Sequence, residues 1–237
     1  MATIKNGILG GLSGKIGPVV GVQVGDQYIL RSRPQRSKPF TKKELENQEK
    51  FGIVQKYLAP FLDLLKVGFK NYYTKTGGFR AAVSYTRKNA VIQGDAGFYI
   101  EPGRLKISGG DLEPAIEPQV VFNDDHLNIF WKTDSVKALT RSDQLLVLLY
   151  DFQNQYAVTR IFDSAYRSDG KATVEINPRL SGKKVDLYIG FVAADRNSQS
   201  DSQYLGRFTL ETMLFKSLDF NSNSFIKHGD ALTKQST

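Results

Sequence analysis

From Gln119 onward the chain is a succession of short β-rich runs cut apart by turn-forming clusters, and no other feature limits its folding as much. The runs are Val120–Phe122, Leu127–Trp131, Gln144–Tyr150, Ala157–Phe162, Ala172–Ile176, Val185–Ala193 and Tyr204–Leu210. Asn123-Asp124-Asp125, Ser168-Asp169-Gly170 and the polar stretch 195–201 separate them. Seven strands at this spacing predict an all-β sandwich of immunoglobulin or fibronectin type III style. Trp131, the single tryptophan, falls on the second run, where its bulk suits the space between two sheets.

The first half reads differently. Between Met1 and Leu30, glycines at 7, 10, 11, 14, 17, 21 and 25 alternate with aliphatic residues. Each glycine costs a helix about 1 kcal/mol relative to alanine, so the segment is expected as an extended arm or hairpin. Val20–Val24 and Gln27–Arg31 would be strands around Gly25-Asp26. Such an arm cannot bury its own aliphatic side chains and would pack on its own body or on a neighbouring subunit as an added strand. Ile8, Leu9, Leu12, Ile16, Val19 and Val20 are the candidate assembly residues.

A loop, RSRPQRSKPFT, covers 31–41 and leads into a helix. Thr41 with Glu44 three residues later has capping-box spacing, and Leu45, Phe51, Val54, Leu58, Phe61, Leu62 and Leu65 follow a helical period. Pro60 should kink this helix or open a second. Gly77-Gly78 ends the pattern, and Phe79–Ile92 reads as another helix. Gly94–Gly110 is linker-like, with two short strands expected within Tyr99–Ile107 across Pro102-Gly103. The whole is an α+β chain: a basic arm-plus-helix part at 1–109, the β-sandwich at 110–212, and a polar tail at 213–237.

Charge divides at the same place. Residues 1–109 hold 18 Lys and Arg against 7 Asp and Glu, a net of +11, and the remainder is net −3. A basic half beside a slightly acidic one suits an anionic partner, or head-to-tail contact between copies. Arg31, Arg33, Arg36, Lys38, Lys42 and Lys43 form a stretch with no acid and are the candidate polyanion or nucleic-acid contacts. No base-reading motif accompanies them.

Several chemistries are excluded or poorly matched. The chain has no cysteine and two histidines, His126 and His228, which removes thiolate sites and histidine-rich metal sites. Gly10–Ile16, GGLSGKI, resembles a phosphate loop only in part: Leu9 replaces the first glycine and Ile16 the hydroxyl residue. Asp195–Asp201 fits a calcium loop at Asp195 and Asn197 but not at Gln199 or Ser200. No G-x-S-x-G elbow occurs. No catalytic residue, cofactor or metal is therefore expected. No stretch reaches the roughly 20 apolar residues of a membrane helix. The start lacks a signal-peptide layout, which points to the cytoplasm or to signal-independent release within an extracellular assembly.

Four passages then stand out: TIKNGILGGLSGKIGPVVG at the start, GFKNY at Gly68–Tyr72, AVSYTRKNAV at Ala82–Val91, and YIGFVAADRNSQSDSQYLG at Tyr188–Gly206. On these the chain resembles a family of Bacteroidetes proteins of unknown function, DUF6266, across residues 2–210. The resemblance implies a basic N-terminal part followed by a fibronectin-like module, and no activity. The passage RSRPQRSKPFTKKELENQEKFGIV is similar to one in some phage-type structural proteins. Lys38-Pro39-Phe40-Thr41 and Phe51 fit it, Lys50 takes an arginine's place, and Leu45 stands near an expected glutamine.

The expectation is a non-enzymatic structural protein, a homo-oligomer that self-assembles through its N-terminal arm into a filament, tubule or phage-tail-like particle. The alternatives are a polyanion-binding protein using 31–43, and an adhesion module using the sandwich loops.

Overall fold

The computed structural model describes residues 3–4, 10–24, 26–33, 35–72, 77–95, 97–123, 126–134, 136–162 and 165–210. The chain divides into two compact units, 1–48 and 49–237. The first holds β1 (Thr3–Ile4), β2 (Leu12–Ile16), β3 (Val19–Val24), β4 (Gln27–Ser32) and the opening turns of α1 (Lys42–Leu58). The second holds the rest of α1, then α2 (Leu62–Gly68), α3 (Gly78–Asn89), β5 (Val91–Gly94), β6 (Gly97–Ile100), β7 (Ile116–Phe122), β8 (His126–Lys132), β9 (Gln144–Asp151), β10 (Tyr156–Arg160), β11 (Lys171–Glu175), β12 (Lys184–Val192) and β13 (Gln203–Thr209).

Leu145 to Tyr150 is an unbroken apolar run, and Val185 to Val192 is nearly so. Strands of this kind have no polar face to offer water and must be covered on both sides. β9 and β12 meet that demand as antiparallel neighbours at the centre of a four-stranded sheet, order β10-β9-β12-β13. One face presents Leu145, Val147, Leu149, Val185, Leu187, Ile189 and Phe191 to a core shared with a three-stranded sheet, order β11-β8-β7. The other presents Leu146, Leu148, Tyr150, Tyr188 and Val192 to α1, α2, α3 and the segment carrying Leu105 and Ile107. The second unit is thus layered as sheet, sheet, helices.

The elements follow local chemistry. Thr41 and Glu44 close the expected capping box: the Thr41 amide donates to Glu44 Oε2 at 2.8 Å and the Glu44 amide to Thr41 Oγ1 at 3.4 Å. Pro60 stops α1, and a single 3-10 turn at Ala59–Phe61 redirects the chain into α2. Trp131 lies in the inter-sheet core, edge-on to Phe191, and its indole N–H donates to the Arg167 carbonyl at 2.8 Å. The Arg167 guanidinium is itself buried. It pairs with Asp143 at 3.0 Å, donates to the carbonyls of Glu113 and Pro114, and stacks over Phe191. Burial raises the Asp143 carboxyl above its usual range, with the Arg167 bond opposing that rise.

Four local expectations are corrected. The helix expected over Phe79–Ile92 ends at Asn89, whose side-chain amide donates back to the Tyr85 carbonyl. Val91 and Ile92 are β-branched and pair with Ile100 and Tyr99 as β5. The strand pair expected across Pro102 is instead β5 with β6, because Pro102–Arg104 forms a 3-10 turn. His126, expected in a turn, opens β8 opposite Glu175. The stretch read as linker-like also buries Ile100, Leu105 and Ile107. The tail from 213 and His228 lie outside the described residues.

Burial on both faces has a measurable consequence. Leu148 points to the helical core and Leu149 to the inter-sheet core, both fully buried. Leu148→Ala and Leu149→Ala should each lower unfolding free energy by about 2–5 kcal/mol, read from urea titrations followed by circular dichroism. A sheet with one face in water would show the loss at Leu149 alone.

Candidate assembly interface

Gly10–Ile16, weighed above as a phosphate loop, runs into strand β2, with no helix behind it. Gly17, at φ +53°, makes the tight turn that folds β3 back onto β2. β3 and β4 then form a hairpin about positions 25 and 26, in unbroken register from Val24↔Gln27 to Val19↔Ser32. The four strands make a meander of order β1-β2-β3-β4. Gly21 faces Gly14 across β2 and β3, and a Cβ there would lie 2.3 Å from the Leu12 carbonyl oxygen. Only glycine permits that approach.

Strand alternation sorts the side chains onto two faces. Leu12, Ile16, Val19, Tyr28 and Leu30 share one, and Val20, Val22, Val24, Ile29 and Arg31 share the other. Every residue of β4 is exposed, Leu30 at 62%, and Val24 at the end of β3 is 58% exposed. Ile16, Tyr28 and Ile29 are exposed too. A sheet apolar on both faces has no inner side within its own unit.

The residues singled out from the sequence are therefore divided. Leu12, Ile16 and Val19 lie on one face and Val20 on the other, while Ile8 and Leu9 fall outside the described residues. Val22, Val24, Tyr28, Ile29 and Leu30 were missed. The expected hairpin of Val20–Val24 with Gln27–Arg31 is present as β3 and β4, and applying strand alternation to it would have found them.

The edge of β4 is also open. Among the described residues nothing pairs with its outer side. Two edges of the second unit, β7 and β13, carry protection of the kind that discourages association. β7 contains Pro118 and a register shift at Glu117, which sits at φ +47°. β13 has a register shift facing Leu187/Tyr188. β4 has neither proline nor bulge, and Arg31 is its one charge.

The basic stretch is unequal in its engagement. Arg31, Arg33, Lys38, Lys42 and Lys43 are exposed. Arg36 organises its loop: Nε donates to the Lys38 carbonyl, Nη2 pairs with Glu44 at 2.7 Å, and the guanidinium lies 3.9 Å over the Phe40 ring.

In the second unit, Asn71, Tyr72, Gly109, Gly110, Asp111 and the 197–201 turn line a polar cleft of about 420 Å³, with Lys106 and Asp201 paired at 2.5 Å within it. The Asp195 carboxylate accepts from the Asn197 amide at 2.9 Å and so shapes that turn. Among the described residues no group of three or more His, Cys, Asp or Glu is placed to hold a metal ion, and no helix is long and apolar enough to cross a membrane.

Glu44 offers a titration test. The Arg36 hydrogen bond first, then the Thr41 amide and hydroxyl, pull its carboxyl down to about 2. A folded value below the unfolded one stabilises the folded state above the ordinary carboxylate range, and that contribution disappears as pH falls through about 2. Carbon-13 NMR of the side-chain carboxyl should show a midpoint near 2, and Arg36→Gln should move it upward.

No curated protein matches the chain. The chain belongs to a family of unknown function, DUF6266, whose sequence model matches residues 11–206 and so takes in every strand from β2 to β12.

Proposed function

We propose that this chain is a non-enzymatic structural protein that self-associates through its N-terminal sheet into a larger homo-oligomer, such as a filament, tubule or phage-tail-like particle. The observation behind this reading is the exposure of aliphatic side chains on both faces of the β2–β4 sheet, beside an unprotected edge. Fully burying a Val, Leu or Ile side chain is worth about 1.5–3 kcal/mol. A unit that leaves several exposed gains that energy when another surface covers them, and a second copy offers such a surface. The strand order of the second unit supports a fibronectin type III-like sandwich over 110–212: first, second and fifth strands in one sheet, fourth, third, sixth and seventh in the other. That fold by itself assigns no chemistry.

Removing residues 1–33 takes away the sheet and leaves both buried cores and the Thr41 cap. The truncated protein should run as a monomer by size exclusion with light scattering, while full-length protein forms ordered polymers under negative-stain electron microscopy. An unchanged oligomer after truncation, or a full-length monomer at every concentration, would overturn the reading.

A polyanion partner is the second reading, favoured by the exposure of Arg31, Arg33, Lys38, Lys42 and Lys43. It requires the logarithm of affinity for duplex DNA or heparin to fall linearly with the logarithm of salt, by about 0.9 per DNA phosphate neutralised. Absence of binding at low salt removes it.

A further inference from the structure

We propose that β4 pairs edge to edge with β4 of a second copy, antiparallel about a two-fold axis through Ile29, joining two four-stranded sheets into one of eight. This rests on the self-association reading and specifies its seam.

The Arg33 amide donates to the carbonyl of Pro18, its opposite residue, at 2.6 Å. In an antiparallel pair, hydrogen-bonded and non-bonded positions alternate. Arg31, Ile29 and Gln27 therefore turn their backbone groups toward β3. Tyr28, Leu30 and Ser32 turn theirs toward the open edge.

A two-fold axis normal to the sheet keeps each face on its own side, so Tyr28, Leu30 and Ser32 can pair only among themselves. Two registers centred in the strand satisfy this. With Ile29 opposite its own copy, Tyr28 stands opposite Leu30 twice, each pair exchanging two backbone bonds. Gln27 then stands opposite Arg31, and the two Arg31 side chains lie at opposite ends of the seam. With Leu30 opposite its own copy, Tyr28 meets Ser32 and Ile29 meets Arg31, which replaces apolar pairs by mismatched ones. The first register is the complementary one.

The side-chain relief agrees. Leu30 lies opposite Gly21 on β3, which has no side chain to cover it, and is the most exposed β4 aliphatic. The Tyr28 ring of each copy lies against Gly11 of its own sheet, so Leu30 would gain cover from the neighbouring strand rather than from that ring. A two-fold seam also buries the same patch on both copies, the commonest form of association among homo-oligomers.

The chain lacks cysteine, so a single introduced thiol reports alone. At the non-bonded central position, opposed Cα atoms lie about 4.5 Å apart, within disulfide reach. Full-length Ile29→Cys should oxidise to a covalent dimer in high yield and Leu30→Cys should not. Leu30→Pro removes an outward-facing amide while sparing every bond to β3, and should abolish the seam with an unchanged circular dichroism spectrum. Preferential cross-linking of Leu30→Cys overturns the register. An oligomer that persists in Leu30→Pro, with no cross-link from Ile29→Cys, overturns the β4 seam while leaving arm-mediated assembly standing. A full-length protein that stays monomeric overturns both.

Discussion

The central constraint is the burial of β9 and β12 on both faces. Two adjacent strands with no polar side commit the chain to a cover on each. The three-stranded sheet supplies one and the helices the other. Polar groups survive in this sheet where they find partners. Asp186, almost wholly buried, accepts two bonds from Arg207 and one from the Tyr204 hydroxyl. Tyr150 and Tyr188 bury their rings in the helical core and donate their hydroxyls to the carbonyls of Tyr57 and Pro102. Burial pushes the Tyr150 hydroxyl up to about 12 and the Tyr188 hydroxyl higher still, so both stay protonated donors at neutral pH.

The first unit is built on the opposite principle. Its strands are held by backbone pairing and by glycines that let neighbours approach, and its aliphatic side chains face outward on both sides. A sheet of this kind has regular hydrogen bonding and little burial, which is the condition under which pairing with another chain contributes most. One chain thus joins a doubly covered core to a sheet whose Ile16, Val24, Ile29 and Leu30 stay exposed.

The charge asymmetry fits this division. The basic stretch 31–43, from the end of β4 to the start of α1, leaves five cations exposed and uses a sixth, Arg36, to fasten the loop to the start of α1. Those cations can meet an anionic partner or the more acidic half of another copy. Either way they sit beside the exposed sheet in sequence, so assembly and any anion binding would be read out by the same segment.

Much of the second unit was legible from sequence. The seven β-rich runs lie where β7 to β13 lie, because turn clusters and β-branched runs act locally. The same holds for the Thr41–Glu44 cap and the break at Pro60. The double burial of β9 was visible in Leu145–Tyr150, but what covers it was not, since helix-to-sheet packing joins residues about ninety apart, such as Tyr57 and Tyr150. Val91 and Ile92 continue a helical pattern and become a strand only because Tyr99 and Ile100 lie alongside. In the arm, composition alone established an apolar, glycine-led segment unable to bury itself. Which residues share a face, and which strand is left with an open edge, depended on the register of β2, β3 and β4. Register is set by pairing between strands, and a shift of one residue exchanges the two faces.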